Sequence, residues 1–318
     1  MKMFDAQAAL GFLTNQSYQI NPRVYRTVYP DLNFNELVFV DQSAPEWALG
    51  QTTFVGNMIG RAEWGTGFAD DMPFADIERD RTDTRFRFAH VGYEYNIEEL
   101  GIAQQQGVGL TAEKALAARR AYQEFMWNVT LFGDTAKAMT GLVNATGITS
   151  GLAPADGTGA VTTWFDANGV ATKTPAQIVR DFNAMLTGIY TGSLTVEMAD
   201  TVLLPFSTLS NLASTPMSAT NDTTLLTFML QNNIMTLQSG KQPTVRGLLG
   251  LDTAGAGGTR RAVAYRNAED VVRLHLPAPH RFEAPRPKGT YGFVVPGWFR
   301  TGGVEFSRTY AARYLDGI

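Results

Sequence analysis

Residues 86–147 constrain this chain more than any other stretch, because a long extended ribbon there runs directly into a long helix. Apolar residues alternate through Phe86 and Phe88, then Val91, Tyr93, Tyr95 and Ile97, with Gly92 near the change of phase, a natural place for a bulge. A strand over 82–97 would extend roughly 50 Å at ~3.3 Å per residue, against the usual ~17–20 Å. A ribbon of that length leaves its own domain and needs a neighbour to lie on. The feature therefore points to assembly before catalysis.

The helix that follows is well marked. Thr111 is placed to N-cap it, Glu113 favours the positive end of its dipole, and Gly133 is placed to end it. Ala115, Ala118, Tyr122, Phe125, Val129 and Phe132 recur three and four apart, which predicts one buried stripe. About 22 residues make a rod of roughly 33 Å.

A chain of 318 residues, 44% of them apolar, is large enough for two domains with real cores. Its net charge of −4 argues against a protein that grips nucleic acid by neutralising phosphates. The absence of cysteine excludes disulfides, thiol catalysis and thiolate metal sites. The N-terminal MKMFDAQAALGFLTNQ is read as neither a secretory signal nor a membrane span, and no run of 18 apolar residues occurs, so no membrane partner is expected.

Along the chain, 1–45 reads as an arm, with NFNELVFV (33–40) as a strand at its end. Residues 46–61 form a second ribbon, expected to pair antiparallel with 82–97 around a charged tip at 62–81. Residues 149–174, rich in Gly, Thr and Ala, are expected to make a surface excursion. Thr174, Pro175 and Gln177 then predict an N-cap, a proline at N1 and a capping box, with Ile178, Phe182, Met185 and Ile189 on the buried face. A buried strand ending near 205, a short helix near 207–214 and a helix capped by Asp222 should follow. Strands are expected at 260–265, 271–276, 291–295 and 303–308, the last two paired across a turn at Gly302 and Gly303. The plan is an N-terminal body completed by the last strands, with a second domain inserted.

Motifs that suggest chemistry do not hold up. GVGLTA (107–112) matches a dinucleotide fingerprint, but a polar helical segment, IEELGIAQQQ, stands where a buried strand is required. AGAGGTRR (254–261) is a glycine loop before a strand, and His90, His275 and His280 read as core or surface histidines. No nucleophile elbow, phosphate loop or HExxH helix is present, so no catalytic, cofactor-binding or metal-ligating residue is assigned. Asp70, Asp71, Asp76, Glu78, Asp80 and Asp83 lack calcium-loop spacing and alternate with Arg79, Arg81 and Arg85, which suits a charge-paired contact surface.

The order of arm, long hairpin, long helix, inserted domain and returning strands resembles the plan of a tailed-phage major capsid protein. VYPDLNFNELVFVD (28–41) is similar to that family's arm-to-hairpin segment, and YEYNIEELGIAQQQGVGLTAEKALAARRAYQEFMWNVTLFG (93–133) to its spine-helix region. RRAVAYRNAEDVVRLHLP (260–277) and GWFRTGGVEFSRTYAARYLDGI (297–318) resemble the end of its axial domain and its closing peripheral strands. The resemblance implies an α+β chain with the Johnson (Hong Kong-97-type) capsid fold. It implies an arm at 1–45, an extended loop at 46–92, and an axial domain at 150–285. The peripheral domain would be 93–149 and 286–318, with the spine helix at 111–132.

By that resemblance the subunit closes into hexamers and pentamers of an icosahedral shell around double-stranded DNA, in the virion and, during assembly, in the host cytoplasm. Expected partners are further copies, portal, scaffolding and decoration proteins, and packaged DNA through weak, non-specific contact. Expected interface residues are the apolar Trp47, Trp64, Phe68 and Phe74 and the charged Asp70, Asp71, Arg79, Asp80 and Arg81. A nanocompartment shell of the encapsulin type shares the fold, but a full-length arm and charged tip favour the virus. An enzyme with an inserted domain would need convergent titratable groups, which the sequence does not offer. Some members of the family cross-link subunits through a lysine of the extended loop. This chain has no lysine between Met3 and Glu113, and arginine stays protonated, so a non-covalent shell is expected.

Overall fold

A computed structural model describes residues 32–64, 74–106, 109–157, 159–218 and 221–318. Asn33–Ile318 form one compact unit. The arm residues 1–31 and the tip residues 65–73 lie outside the described residues.

Phe34–Glu36 form a single 3-10 turn before β1 (Phe39–Asp41), so the strand expected over 33–40 is confined to its end. Phe34 and Leu37 are both buried at a spacing of three, which a helical turn achieves and a strand does not. The buried Tyr265 hydroxyl donates to the Leu37 carbonyl at 2.5 Å, and burial holds that phenol far above its usual range.

β2 (Gly50–Ile59) pairs antiparallel with β3 (Asp76–Arg85), from Gly50 opposite Arg85 to Ile59 opposite Asp76. The partner of the first ribbon is therefore 76–85 rather than 82–97, and 76–81 are strand rather than tip. The reason lies at Phe86, which is buried and whose N–H donates to the Leu49 carbonyl at 3.0 Å, bringing the chain back to the body. The extended run continues through β4 (Arg87–His90) and β5 (Tyr93–Asn96), each paired with a strand from late in the chain. Gly92 lies between them, where a Cβ would collide with the Val295 carbonyl and stand 3.1 Å from the Gly297 nitrogen. Only glycine permits that approach.

α1 (Ile97–Gln106) precedes α2 (Leu110–Phe132). Gly109 occupies the N-cap position without a side-chain bond, so Thr111, expected as the cap, is already inside the first turn. At the other end Gly133 takes φ 66° and donates to the Val129 carbonyl, as its position predicts. Ala118, Met126, Val129, Thr130 and Leu131 are buried, all but Ala118 in the C-terminal half, and Phe125, 39% exposed, packs edge-on against Phe299. The covered stripe is thus narrower at the N-terminal half than its periodicity suggests, because that half lies along the surface.

β6 (Thr149–Leu152) leads into 153–174, which is not a surface excursion: Trp164 and Phe165 are fully buried. Two aromatics anchor a segment whose small residues hide them. In α3 (Pro175–Gly192) the capping box is present, with the Thr174 N–H donating to Gln177 Oε1 at 2.8 Å, and Ile178, Phe182, Met185 and Ile189 are buried as expected. β7 (Thr201–Pro205), α4 (Phe206–Ser214), β8 (Pro216–Ser218) and β9 (Asn221–Thr224) follow. α5 (Leu225–Gln231) is capped by the Thr224 hydroxyl, not by Asp222, which lies in β9. α6 (Ile234–Ser239) and β10 (Thr244–Leu248) complete this region.

The remaining strands are β11 (Arg261–Tyr265), β12 (Val272–His275), β13 (Ala278–Phe282), β14 (Arg286–Lys288), β15 (Gly292–Val295), β16 (Gly297–Thr301), β17 (Gly303–Phe306) and β18 (Ala312–Asp316). A five-stranded mixed sheet runs β10-β7-β11-β18-β6. Its alternating residues feed two cores: Leu203, Val263, Tyr265 and Tyr314 join Met126 and Leu131, while Val202, Leu204, Ala262 and Ala264 join Phe182 and Met185. Burial on both faces explains why these strands read as continuous apolar runs. Three further sheets have three strands each, β1-β12-β17, β13-β16-β4 and β14-β15-β5. β15 and β17, expected as a hairpin, fall in different sheets; β17 pairs with β12, and Gly303, at φ 77°, redirects the chain between sheets.

Candidate assembly surfaces

The β2–β3 ribbon has no core of its own. Ten residues per strand give roughly 33 Å of two-stranded sheet, a structure marginal in water by itself. Phe54 is 65% exposed and Met58 86%. Arg81 pairs with Asp83 at 2.8 Å, and Asp83 also accepts from the Thr52 hydroxyl at 2.7 Å. The Arg81 guanidinium, helped by Thr52, holds the Asp83 carboxyl below its ordinary value.

The expected interface residues divide along this element. Arg79, Asp80 and Arg81 lie along β3, all exposed. Trp64 (105% exposed) and Phe74 are the described residues on either side of 65–73, whereas Phe68, Asp70 and Asp71 fall outside the described residues. Trp47 stands apart from these, just before β2 and within the 46–61 ribbon. It lies at the root, 5.2 Å from the Trp298 ring, and remains 69% exposed.

That root is an aromatic platform on β16. Phe88 stacks on Trp298 at 5.6 Å, and the Arg281 guanidinium covers the same ring at 4.2 Å. Arg281 also forks onto Glu46 (2.6 and 3.1 Å), and Arg300 donates to the Glu46 carbonyl at 2.6 Å. A neighbouring groove of about 480 Å³ is lined by Phe88, His90, Tyr93, Pro296 and Trp298.

Beneath the root is a buried polar cluster that the sequence does not disclose. His275 Nε2 is 2.5 Å from Glu305 Oε2, and its Nδ1 is 3.6 Å from Asp41 Oδ2. The Thr84 hydroxyl, near the end of β3, donates to the same Glu305 oxygen at 3.0 Å. Burial pushes the Glu305 carboxyl up, but the hydrogen bonds with His275 and Thr84, with the charge of His275 nearby, outweigh it and hold the group below its usual value. Asp41 is likewise held low: burial opposes ionisation, and the Ser43 bonds with nearby His275 and Arg273 overcome it. The available signal is a few polar residues in two otherwise apolar strands, Arg273 and His275 in VRLH and Glu305 in GVEF, which strand pairing brings together.

The glycine loop at 254–258 does cradle an anion, but an internal one. The Ala256 N–H donates to Asp316 Oδ2 at 3.2 Å, and Arg261 clamps both oxygens at 2.6 and 2.8 Å. Among the described residues, no group of three or more His, Asp or Glu is arranged to hold a metal ion. No described helix is long and apolar enough to cross a membrane. What the surface offers is a projecting ribbon and an aromatic root.

The fold is that of phage capsid subunits. It is similar to the capsid of Myoviridae phage XM1 (TM-score 0.76, 15% identity, covering 100% of this chain and 99% of that one). The capsid of the native GTA particle is also similar (0.61, 12%, 99% of both chains), as is Microbacterium phage Oxtober96 (0.61, 11%, 99% of both). No curated protein matches the sequence. Residues 60–318 match the family model described as major capsid protein, and the chain belongs to that family. It is a structural protein of a capsid, not an enzyme.

Proposed function

We propose that this subunit closes into hexamers and pentamers of an icosahedral head around double-stranded DNA, held without covalent cross-links. The β2–β3 ribbon carries the reading: apolar and charged side chains projected on a coreless hairpin are stable only when covered by a neighbour. In this reading α2 is the spine of a peripheral domain (93–149 and 286–318), 46–92 the extended loop, 150–285 an axial domain and 1–45 an arm. Trp47, Trp64, Phe68 and Phe74, with Asp70, Asp71, Arg79, Asp80 and Arg81, make the intersubunit contacts. Portal, scaffolding and decoration proteins are the further partners, and assembly takes place in the host cytoplasm. A chain of net charge −4 touches packaged DNA weakly and without sequence preference.

Light scattering and electron microscopy of the purified chain at neutral pH test this. Capsomers or closed shells are expected. A monodisperse monomer at every concentration and salt condition contradicts the reading.

A further inference from the structure

The two faces of the β2–β3 ribbon differ in charge. Directly opposed residues of an antiparallel pair share a face, and successive residues alternate. One face carries Phe54 opposite Arg81, Gly56 opposite Arg79, Met58 opposite Ile77 and Gly50 opposite Arg85. The other carries Val55 opposite Asp80, Asn57 opposite Glu78 and Ile59 opposite Asp76. The alternation in DIERDR therefore sorts arginines to one side and carboxylates to the other. Asp83 is the only carboxylate of β3 on the arginine side, and Arg81 and Thr52 already hold it.

We propose that the ribbon docks one way up, with its arginine face buried against an acidic surface of a second copy of this chain and its carboxylate face left in solvent. The inference rests on the shell reading above and adds the orientation and chemistry of the contact. Interface cores are enriched in aromatic residues, Met and Arg and depleted in Asp and Glu, which is the difference between these two faces. Phe54, Met58 and Ile77 are all exposed on the arginine side, and Arg79 has no ion-pair partner among the described residues. Burying the opposite face would desolvate Asp76, Glu78 and Asp80 together, three like charges in a row. A second copy fits as occupant because a chain of net charge −4 presents an excess of carboxylates to receive those arginines. The carboxylate face also repels acidic surfaces, so the inverted pose is disfavoured.

The chain has no cysteine, so single-cysteine probes report without background. Gly56→Cys and Asn57→Cys place a thiol on the arginine and carboxylate faces at adjacent positions, and a Cβ at Gly56 meets nothing within 4 Å. Maleimide labelling is compared between shells assembled from the purified chain and dissociated subunits. In shells, Gly56→Cys should label about tenfold more slowly or worse, since it reacts only when the contact opens, while Asn57→Cys keeps its rate within about twofold. Equal protection, equal reactivity or the reverse order overturns the proposal.

Charge reversal gives an independent reading. Arg79→Glu with Arg81→Glu should raise the concentration needed for assembly about tenfold, and Glu78→Arg with Asp80→Arg should leave it within about twofold. Equal effects of the two pairs also overturn the proposal. A wild-type chain that never assembles overturns both this and the shell reading, and scattering shows that before any label is added.

Discussion

His275 and Glu305 face each other 2.5 Å apart across the β12–β17 pair, and the hydroxyl of Thr84 reaches the same carboxylate from β3. Both side chains are almost fully buried, and His275 Nε2 has Glu305 as its hydrogen-bond partner, while Glu305 also accepts from Thr84. Removing one partner of a buried pair typically costs about 3–5 kcal/mol. His275→Ala should therefore lower the unfolding free energy of the unassembled chain by that amount in urea titrations, whereas a loss below about 1 kcal/mol would show the pair to be dispensable.

The same cluster sets an acid limit. Glu305 has a folded pKa below its unfolded value of 4.5, so its stabilising contribution is fully present above pH 4.5. It is lost as pH falls through the lower, folded value. Asp41 follows the same sign, from 3.8 downward. Unfolding midpoints measured from pH 7 to pH 3 should fall in the acid range, and Glu305→Gln should flatten that fall. An unchanged slope in the variant would contradict the assignment.

Lys173 is fully buried and donates to Asp181 Oδ2 at 2.7 Å and to the Pro154 carbonyl at 2.6 Å, with Asp156 Oδ2 at 3.1 Å. Arg180 bridges both aspartates from the surface and, together with Lys173, holds the Asp156 carboxyl down to about 2. Lys173→Met leaves the buried Asp181 short of its partner and should cost about 3–5 kcal/mol in the same titrations. Arg180→Ala should cost less, because Arg180 is partly in water. The reverse order would mean that the exposed arginine, not the lysine, fastens 153–174 to α3.

Trp64 and Phe74 are exposed and bury nothing in the single chain. Trp64→Ala with Phe74→Ala should leave unfolding free energy within about 0.5 kcal/mol of wild type. Assembly should nonetheless need at least about tenfold more protein, as expected when aromatic anchors are lost from an interface. Assembly indistinguishable from wild type would remove Trp64 and Phe74 from the contact.

Particles boiled in detergent should run as one band near 34.7 kDa. The ribbon carries no lysine, so the amine needed for an isopeptide bond is missing there, and thiols are absent throughout. A ladder of covalent multimers would refute this.

Helix α3 is legible in the sequence because its signals are local: a cap, a proline at N1 and an apolar face within one stretch of chain. α2 is legible to within a residue for the same reason, although its cap is not. Strands 261–265 and 272–275 show as apolar runs, but their partners do not, since β17 joins β12 and β15 joins β5 across distant parts of the sequence. Residues 76–81 are hidden as strand because both faces of the ribbon are wet and no apolar periodicity marks them. Among the expected contact residues, Trp47 falls at the start of the 46–61 ribbon as its position implies, but its packing against Trp298 is set by tertiary structure and leaves no local signal.

The five-stranded sheet is completed by β18, which slots between the central β11 and the edge strand β6. A ribosome must therefore release residue 316 before the strands at 149–152 and 261–265 can both be bridged. Until then the growing polypeptide lacks residues that both cores use, Ala312 and Tyr314 in one and Leu315 in the other. The order of strands thereby makes completion of both cores a late, C-terminal event in the synthesis of the chain.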